Sequence, residues 1–329
     1  MPIPIGVSFD GFCSFADSLT IAREAEDAGA ASLWMAEHLG YRDSLGSCMA
    51  FAMATKRVGI VPTAISPYLR NPTPLAMAMA TLAEAAPGRA RIALGIGNPL
   101  FLGESGVRID KPVRALREYV EALRGLWSGE PVHQPEAMLH RLDGARMMSR
   151  PPAPIPIYLA PMKEQNLRLA GTSADGVVLS AGLSPEYARV SLDFVAAGAR
   201  SVGRAPSAVG RAAYIFFMAA RDTRDALEKS RRKLAFVLRN RFLDESIAHS
   251  KIPIDQAAII DAIGKRDLER AACLVPDEAV EAFTVFGTQQ QCADRLQRYI
   301  DAGIDEPVLL LVGEPADRAE SLAVIRAFQ

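Results

Sequence analysis

Glu37 and His38 stand side by side where an apolar run, Trp34-Met35-Ala36, gives way to polar chain. An imidazole titrates nearest neutral pH and can trade a proton with a reacting group, so His38 is the candidate acid/base, and Glu37 can accept a hydrogen bond or orient the ring. The plainer use of His38 is a hydrogen bond to a loop carbonyl; its position just after a strand favours the chemical use. A second apolar run ends in Gly95-Ile96-Gly97-Asn98-Pro99, where glycines let a ligand approach the backbone and Asn98 offers both a donor and an acceptor. The third glycine of a dinucleotide-binding fingerprint is missing and no helix is expected to start there, so that reading is rejected. Met162-Lys163-Glu164-Gln165 opens a helix whose free N–H groups, with Lys163 beside them, can hold a phosphate. Ser180-Ala181-Gly182 forms another small, hydroxyl-bearing loop before a helix, where Ser184 reads as N-cap and Pro185 as the first helical residue. In Pro62-Thr63-Ala64-Ile65-Ser66-Pro67 the prolines remove ladder donors, which calls for a bulge or for a plain exit from the strand.

Positioning these groups takes a repeating scaffold. Short apolar runs alternate with segments of helical period: Ile3–Phe9, Ala31–Ala36, Val58–Ile65, Ala90–Leu94, Ile155–Ala160, Gly176–Ser180, Ala212–Ala220 and Pro307–Val312 read as strands. Helices are expected at Phe15–Ala28, within Ser44–Thr55, and at Thr73–Ala86, Val113–Trp127, Glu164–Thr172, Pro185–Val202, from Thr223, and at Thr288–Ala302. The polar stretch 128–154 interrupts this order, and a small hairpin is expected within Leu139–Met147. From about Asn240 to Phe286 the pattern breaks into short helical pieces. Strands alternating with helices along the whole chain call for an α/β fold: one (β/α)₈ TIM barrel spanning residues 1–329, with an irregular insertion at about 240–286 after strand seven. An open doubly wound sheet is the competitor; the absence of any linker favours closure. In such a barrel the active site lies at the C-terminal ends of the strands, where the residues singled out above fall.

Composition narrows the partners. The chain has 329 residues, half of them hydrophobic, and a formal net charge of −1, which gives no electrostatic case for nucleic acid and points to a small-molecule partner. Cys13, Cys48, Cys273 and Cys292 are scattered, with no histidine at metal-ligand spacing, so neither a disulfide framework nor a zinc site is expected. The start at Met1-Pro2 lacks a basic region followed by a long apolar stretch, and no apolar run is long enough to span a membrane. A cytoplasmic protein is the expectation.

Taken together, the stretches Ala25–His38, Val58–Asn98, Arg114–Val132, Pro154–Pro185 and Phe286–Ile304 resemble the luciferase-like monooxygenase superfamily, and within it the deazaflavin-dependent reductases related to methylene-tetrahydromethanopterin reductase. The likeness rests on order and spacing, notably Pro67-Tyr68-Leu69-Arg70-Asn71-Pro72, Pro87-Gly88-Arg89, Leu169-Ala170-Gly171 and Ala174-Asp175-Gly176-Val177. It implies coenzyme F-420, or alternatively FMN, in the barrel mouth and hydride transfer at its ring. By position, Glu37 matches an acidic residue that contacts the ring and His38 a catalytic histidine. Thr63-Ala64, or its neighbour Ala64-Ile65, matches a non-prolyl cis peptide beneath the ring, and Ser66, Ile96, Gly97 and Asn98 match further cofactor contacts. The loops at Met162, Lys163 and Gln165 and at Ser180, Ala181 and Gly182 would face the phosphate. Two departures stand out: Met162-Lys163-Glu164-Gln165 replaces a glycine-containing phosphate loop, and Asn98 stands where sugar-phosphate-oxidising relatives carry a glutamate. The superfamily commonly forms homodimers, and the apolar Met49, Phe51 and Met53 are either core or interface. The resemblance implies an F-420-dependent oxidoreductase or, alternatively, an FMN-dependent monooxygenase, and the altered loop Met162–Gln165 allows a third reading, a cofactor-free barrel acting as a binding protein.

Overall fold

A computed structural model describes residues 3–328, with Leu100 described by its backbone alone; the expected start at Met1-Pro2 lies outside the described residues. Eight parallel strands form the barrel: β1 (Gly6–Phe9), β2 (Ser32–Ala36), β3 (Gly59–Thr63), β4 (Ile92–Leu94), β5 (Ile157–Leu159), β6 (Gly176–Leu179), β7 (Gly210–Ala219) and β8 (Glu306–Leu311). Their order in the sheet is β3-β2-β1-β8-β7-β6-β5-β4. The ring closes through bridges pairing Ile60 with Ala90 and Ile65 with Leu94, so the closed alternative holds and the open sheet is excluded. Fully buried parallel strands must be apolar on both faces, which is why each reads as a near-continuous hydrophobic run rather than as an alternation.

Alternate residues divide two cores. Trp34, Val61, Ala93, Val178, Ala212 and Val308 fill the barrel axis, with Tyr158 and Tyr214 packed against them. Their neighbours along the strands, such as Leu33, Ile60, Ile92 and Leu309, face the helices instead. Helix Phe15–Asp27 is capped by Ser14, Pro72–Ala85 by Asn71, and Pro185–Ser201 by Ser184 with Pro185 in its first turn, as anticipated for Ser184. Thr288 and Gln291 make a capping box on Gln289–Asp301.

Three local expectations are corrected. The hairpin pairs Leu142–Ala145 with Val132–Gln134, so only its second strand lies where the hairpin was expected. Pro99–Glu104 is a short helix directly after the glycine loop of β4, contrary to the expectation that none starts there. Strand β3 ends at Thr63 rather than Ile65; the Thr63-Ala64 peptide is cis, and Ile65 pairs with Leu94 as an isolated bridge. Residues 240–286 are short helices, Asp244–Ser250, Gln256–Gly264, Leu268–Cys273 and Asp277–Phe283, followed by a three-residue strand, Val285–Gly287, that pairs with the end of β7.

At the opposite end from the expected site, Glu306 closes the barrel floor. Arg91 grips it with two parallel bonds, Nη1 to Oε2 at 2.7 Å and Nη2 to Oε1 at 2.8 Å. Ser32 also donates to it, and Trp34 Nε1 donates to Ser32 Oγ at 2.7 Å. Burial alone would push the Glu306 carboxyl up; the guanidinium and these donors bring it below the usual carboxylate range.

Candidate active site

The C-terminal ends of the strands open into a cavity of about 740 Å³, within the range that holds a drug-sized ligand or cofactor. Its wall includes Glu37, His38, Ala64, Ser66, Ile96, Gly97, Asn98, Met162, Lys163, Gln165, Ser180 and Ala181, residues expected there from the sequence. Thr63, Ile65 and Gly182 are not part of that wall. Thr63 and Ile65 are both fully buried, on opposite sides of the barrel wall: the Thr63 hydroxyl accepts from Tyr214 at 3.2 Å on the inside and Ile65 packs in the outer core. Gly182 lies beneath Val237 and Leu243.

One flank of the cavity is a tightly built floor. A side chain at Gly95 would set its Cβ 2.7 Å from the Ala64 Cβ, so only glycine lets the two strand exits approach. Gly97 has φ +94°, a left-handed conformation that glycine adopts without penalty. Ser66 Oγ donates to the Ile96 carbonyl at 2.7 Å, tying the exit of β3 to that of β4.

The acidic group of this wall is held from outside. Arg70 Nη2 bonds Glu37 Oε1 and also Asp43 Oδ2, the latter at 2.6 Å, while the Arg70 carbonyl accepts from Tyr119 at 2.9 Å. Of the two uses expected of Glu37, accepting a hydrogen bond or orienting the His38 ring, the structure shows the first: Oε1 accepts from Arg70, a partner 33 residues away. The second oxygen, Glu37 Oε2, is buried and has no hydrogen-bond partner among the described residues.

His38 lies against aromatic rings, stacked on Phe12 with centroids 5.8 Å apart and edge-on to Tyr41 at 6.4 Å. Burial pushes its pKa down; Asp10 opposes this, while Lys233 and Arg239 reinforce it. The uncharged form of the ring is thereby favoured over the imidazolium.

The loops of β5 and β6 face the other flank. Helix Glu164–Ser173 begins without a side-chain cap, leaving its first N–H groups toward the cavity wall. Asn166 in its first turn is 6% exposed, with Oδ1 lacking a partner among the described residues. Lys163 is not the spare cation the sequence suggested: its ammonium is bound by Asp244 at 2.5 Å and Glu245 at 2.9 Å. Glu164, also in the cavity wall, pairs with Arg168 at 2.7 Å. Groups not foreseen from sequence are Asp10 with Lys233, paired at 2.8 Å, Arg70, Tyr214 and Arg239. Each comes from an element distant along the chain, and only the strand-end rule could have flagged Asp10, which directly follows β1. Among the described residues no cluster of His, Cys, Asp or Glu is placed to hold a metal ion, and no helix is long and apolar enough to cross a membrane.

Known proteins share this architecture. A 5,10-methylenetetrahydromethanopterin reductase of Methanolobus tindarius is 29% identical over 295 residues, covering 89% of either chain. An F-420-dependent glucose-6-phosphate dehydrogenase of Kineococcus radiotolerans is 29% identical over 312 residues, covering 90% of this chain and 87% of its own. The solved F-420-dependent tetrahydromethanopterin reductase of Methanopyrus kandleri superposes with a TM-score of 0.89 at 24% identity over 99% of this chain and 98% of its own, a likeness of fold. The model of the luciferase-like monooxygenases matches residues 8–306, so the barrel with its glycine-floored mouth belongs to that family.

Proposed function

We propose that this chain is an oxidoreductase that uses coenzyme F-420 to move a hydride to or from a small organic substrate at the barrel mouth. The observation that carries this reading is Glu37 Oε2, a buried acceptor without a partner in the wall of a cavity floored by Gly95 and Ala64. Leaving such an acceptor unsatisfied costs about 1–3 kcal/mol, which a ring N–H donor would relieve. A bound deazaflavin supplies a carbon that accepts or gives a hydride. Glu37 and the floor hold its ring, the Ser66–Ile96 clasp keeps that floor rigid, and the amides opening helix Glu164–Ser173 with Asn166 receive its polar tail. His38, uncharged and wrapped by Phe12 and Tyr41, takes the substrate proton during oxidation and returns it during reduction. Family membership over residues 8–306 and a relative named as F-420-dependent support this choice. A homodimer goes with this reading, since Met53 and Met77 are exposed at 75% and 56% on the helices Ser44–Ala54 and Pro72–Ala85; sedimentation velocity measures it.

Glu37→Gln tests the reading. It replaces the charged acceptor while Asp43 still holds Arg70, so the fold should survive. F-420 affinity is expected to fall about 10–100-fold, the worth of a hydrogen bond to a charged group, in a fluorescence titration. Unchanged affinity in a variant with a wild-type melting curve would remove Glu37 from the ring site.

A further inference from the structure

Arg239 is the C-terminal cap of helix Thr223–Leu238 and lines the cavity. The other cations around the mouth are neutralised: Lys233 by Asp10, Arg70 by Glu37 and Asp43, and Lys163 by Asp244 and Glu245. Arg239 differs. Its guanidinium lies 3.9 Å from the Phe236 ring centroid and 5.6 Å from that of Phe101, and among the described residues it makes no hydrogen bond and no ion pair. Glu104 and Tyr41 act on it only at a distance. Stacking on a ring leaves the edges of a guanidinium open, and those edges carry the donor fork that fits a carboxylate.

Between Arg239 and His38 the wall is aromatic. Phe236 meets Phe12 edge-on at 6.4 Å, and Phe12 stacks on His38 at 5.8 Å. Phe12 is 45% exposed and Phe242 38%, large apolar faces left open around the mouth. A ligand lying along this wall would meet a proton-accepting imidazole at one end, rings along its length and one unspent positive charge at the other.

We propose that the substrate of this site is an organic monocarboxylate with an apolar or aromatic body, its carboxylate on Arg239, its body on Phe12 and Phe236, and its reacting carbon beside His38. The proposal rests on the oxidoreductase reading only for what happens at that carbon. A single unpaired cation balances one negative charge, which favours a carboxylate over a dianionic phosphate.

Isothermal titration with phenylacetate, its neutral match phenylacetamide, and phenyl phosphate tests this in the protein without cofactor and again with F-420 present. Phenylacetate should bind at least about tenfold more tightly than the amide and more tightly than phenyl phosphate. Arg239→Met should abolish the preference for the acid, Arg239→Lys should keep only part of it, and both should bind F-420 within about twofold of wild type, by the same arithmetic. Equal binding of acid and amide, a preference that survives Arg239→Met, better binding of phenyl phosphate, or loss of F-420 affinity in Arg239→Met would overturn the proposal. Because the probes need no turnover, a protein that takes phenylacetate through Arg239 but no F-420 would uphold this inference and sink the oxidoreductase reading.

Discussion

Replacing His38 by alanine is expected to slow turnover roughly 10²–10⁴-fold, the usual worth of a positioned acid/base, while F-420 affinity stays close to wild type. The ring stands on the aromatic side of the cavity, and Glu37 is tied to Arg70 on its own account, so deleting the imidazole should leave the cofactor floor intact. The pH profile carries a further signature. Burial, Lys233 and Arg239 together hold the His38 pKa below its ordinary value against the pull of Asp10. Oxidation by wild type should therefore climb through a limb below the normal histidine range and level off above it, because the uncharged ring is the active form. In His38→Ala that limb should vanish and exogenous imidazole should restore part of the rate, read as F-420 reduction across a panel of alcohols that includes hydroxy-substituted aryl carboxylates. A rate and profile that match wild type would remove His38 from the chemistry.

Arg91→Met should cost about 3–5 kcal/mol of stability, because it leaves a buried carboxylate without its counter-charge. Arg91 makes both strong bonds to Glu306, which is 8% exposed on the barrel floor among Ser32, Trp34 and Tyr158. In wild type the carboxyl is held below its unfolded value, so its contribution is present above that value and is lost as pH falls through the folded one. Without Arg91 the sign reverses: burial pushes the carboxyl up, so the variant should recover part of its deficit between about pH 7 and about pH 5 as Glu306 takes a proton. Arg91→Met with Glu306→Leu, which swaps the pair for apolar packing, should regain most of the loss. Urea melts at the two pH values measure all of this, and a single variant within 1 kcal/mol of wild type would show that the pair is not a stability element.

The strands were legible because each must be apolar on both faces, and the start of helix Pro185–Ser201 because Ser184-Pro185 carries its own capping chemistry; Ser14, Asn71 and Thr288 do the same at other helices. Much of the mouth was legible for a simpler reason: a residue directly after a barrel strand lies at the C-terminal rim whatever its type, which placed Glu37, His38, Ser66, Gly97 and Ser180 together. Pairing was not legible. Arg70 reaches Glu37 across 33 residues, Arg91 reaches Glu306 across 215 and Lys233 reaches Asp10 across 223, and no local period records such contacts. Lys163 was misjudged for the same reason, since its carboxylate partners lie 81 and 82 positions on, in the segment whose pattern breaks down. The helix Pro99–Glu104 escaped because six residues containing Gly103 and opening on a proline show no helical period. Asn71 and Pro72, read as part of a family segment, act through the backbone by starting the helix behind Arg70.

The redox cofactor that this mouth prefers separates an F-420-dependent oxidoreductase from a flavin-dependent monooxygenase and from a cofactor-free barrel. Titrating purified protein with F-420 and with FMN, each followed by fluorescence, should give F-420 binding in the micromolar range or tighter and at least about tenfold, ~1.4 kcal/mol, stronger than FMN. FMN binding stronger than F-420 would move the chain to the flavin-dependent monooxygenases. Binding of neither at micromolar concentration would make it a barrel that holds its ligand without redox chemistry, and would contradict the account.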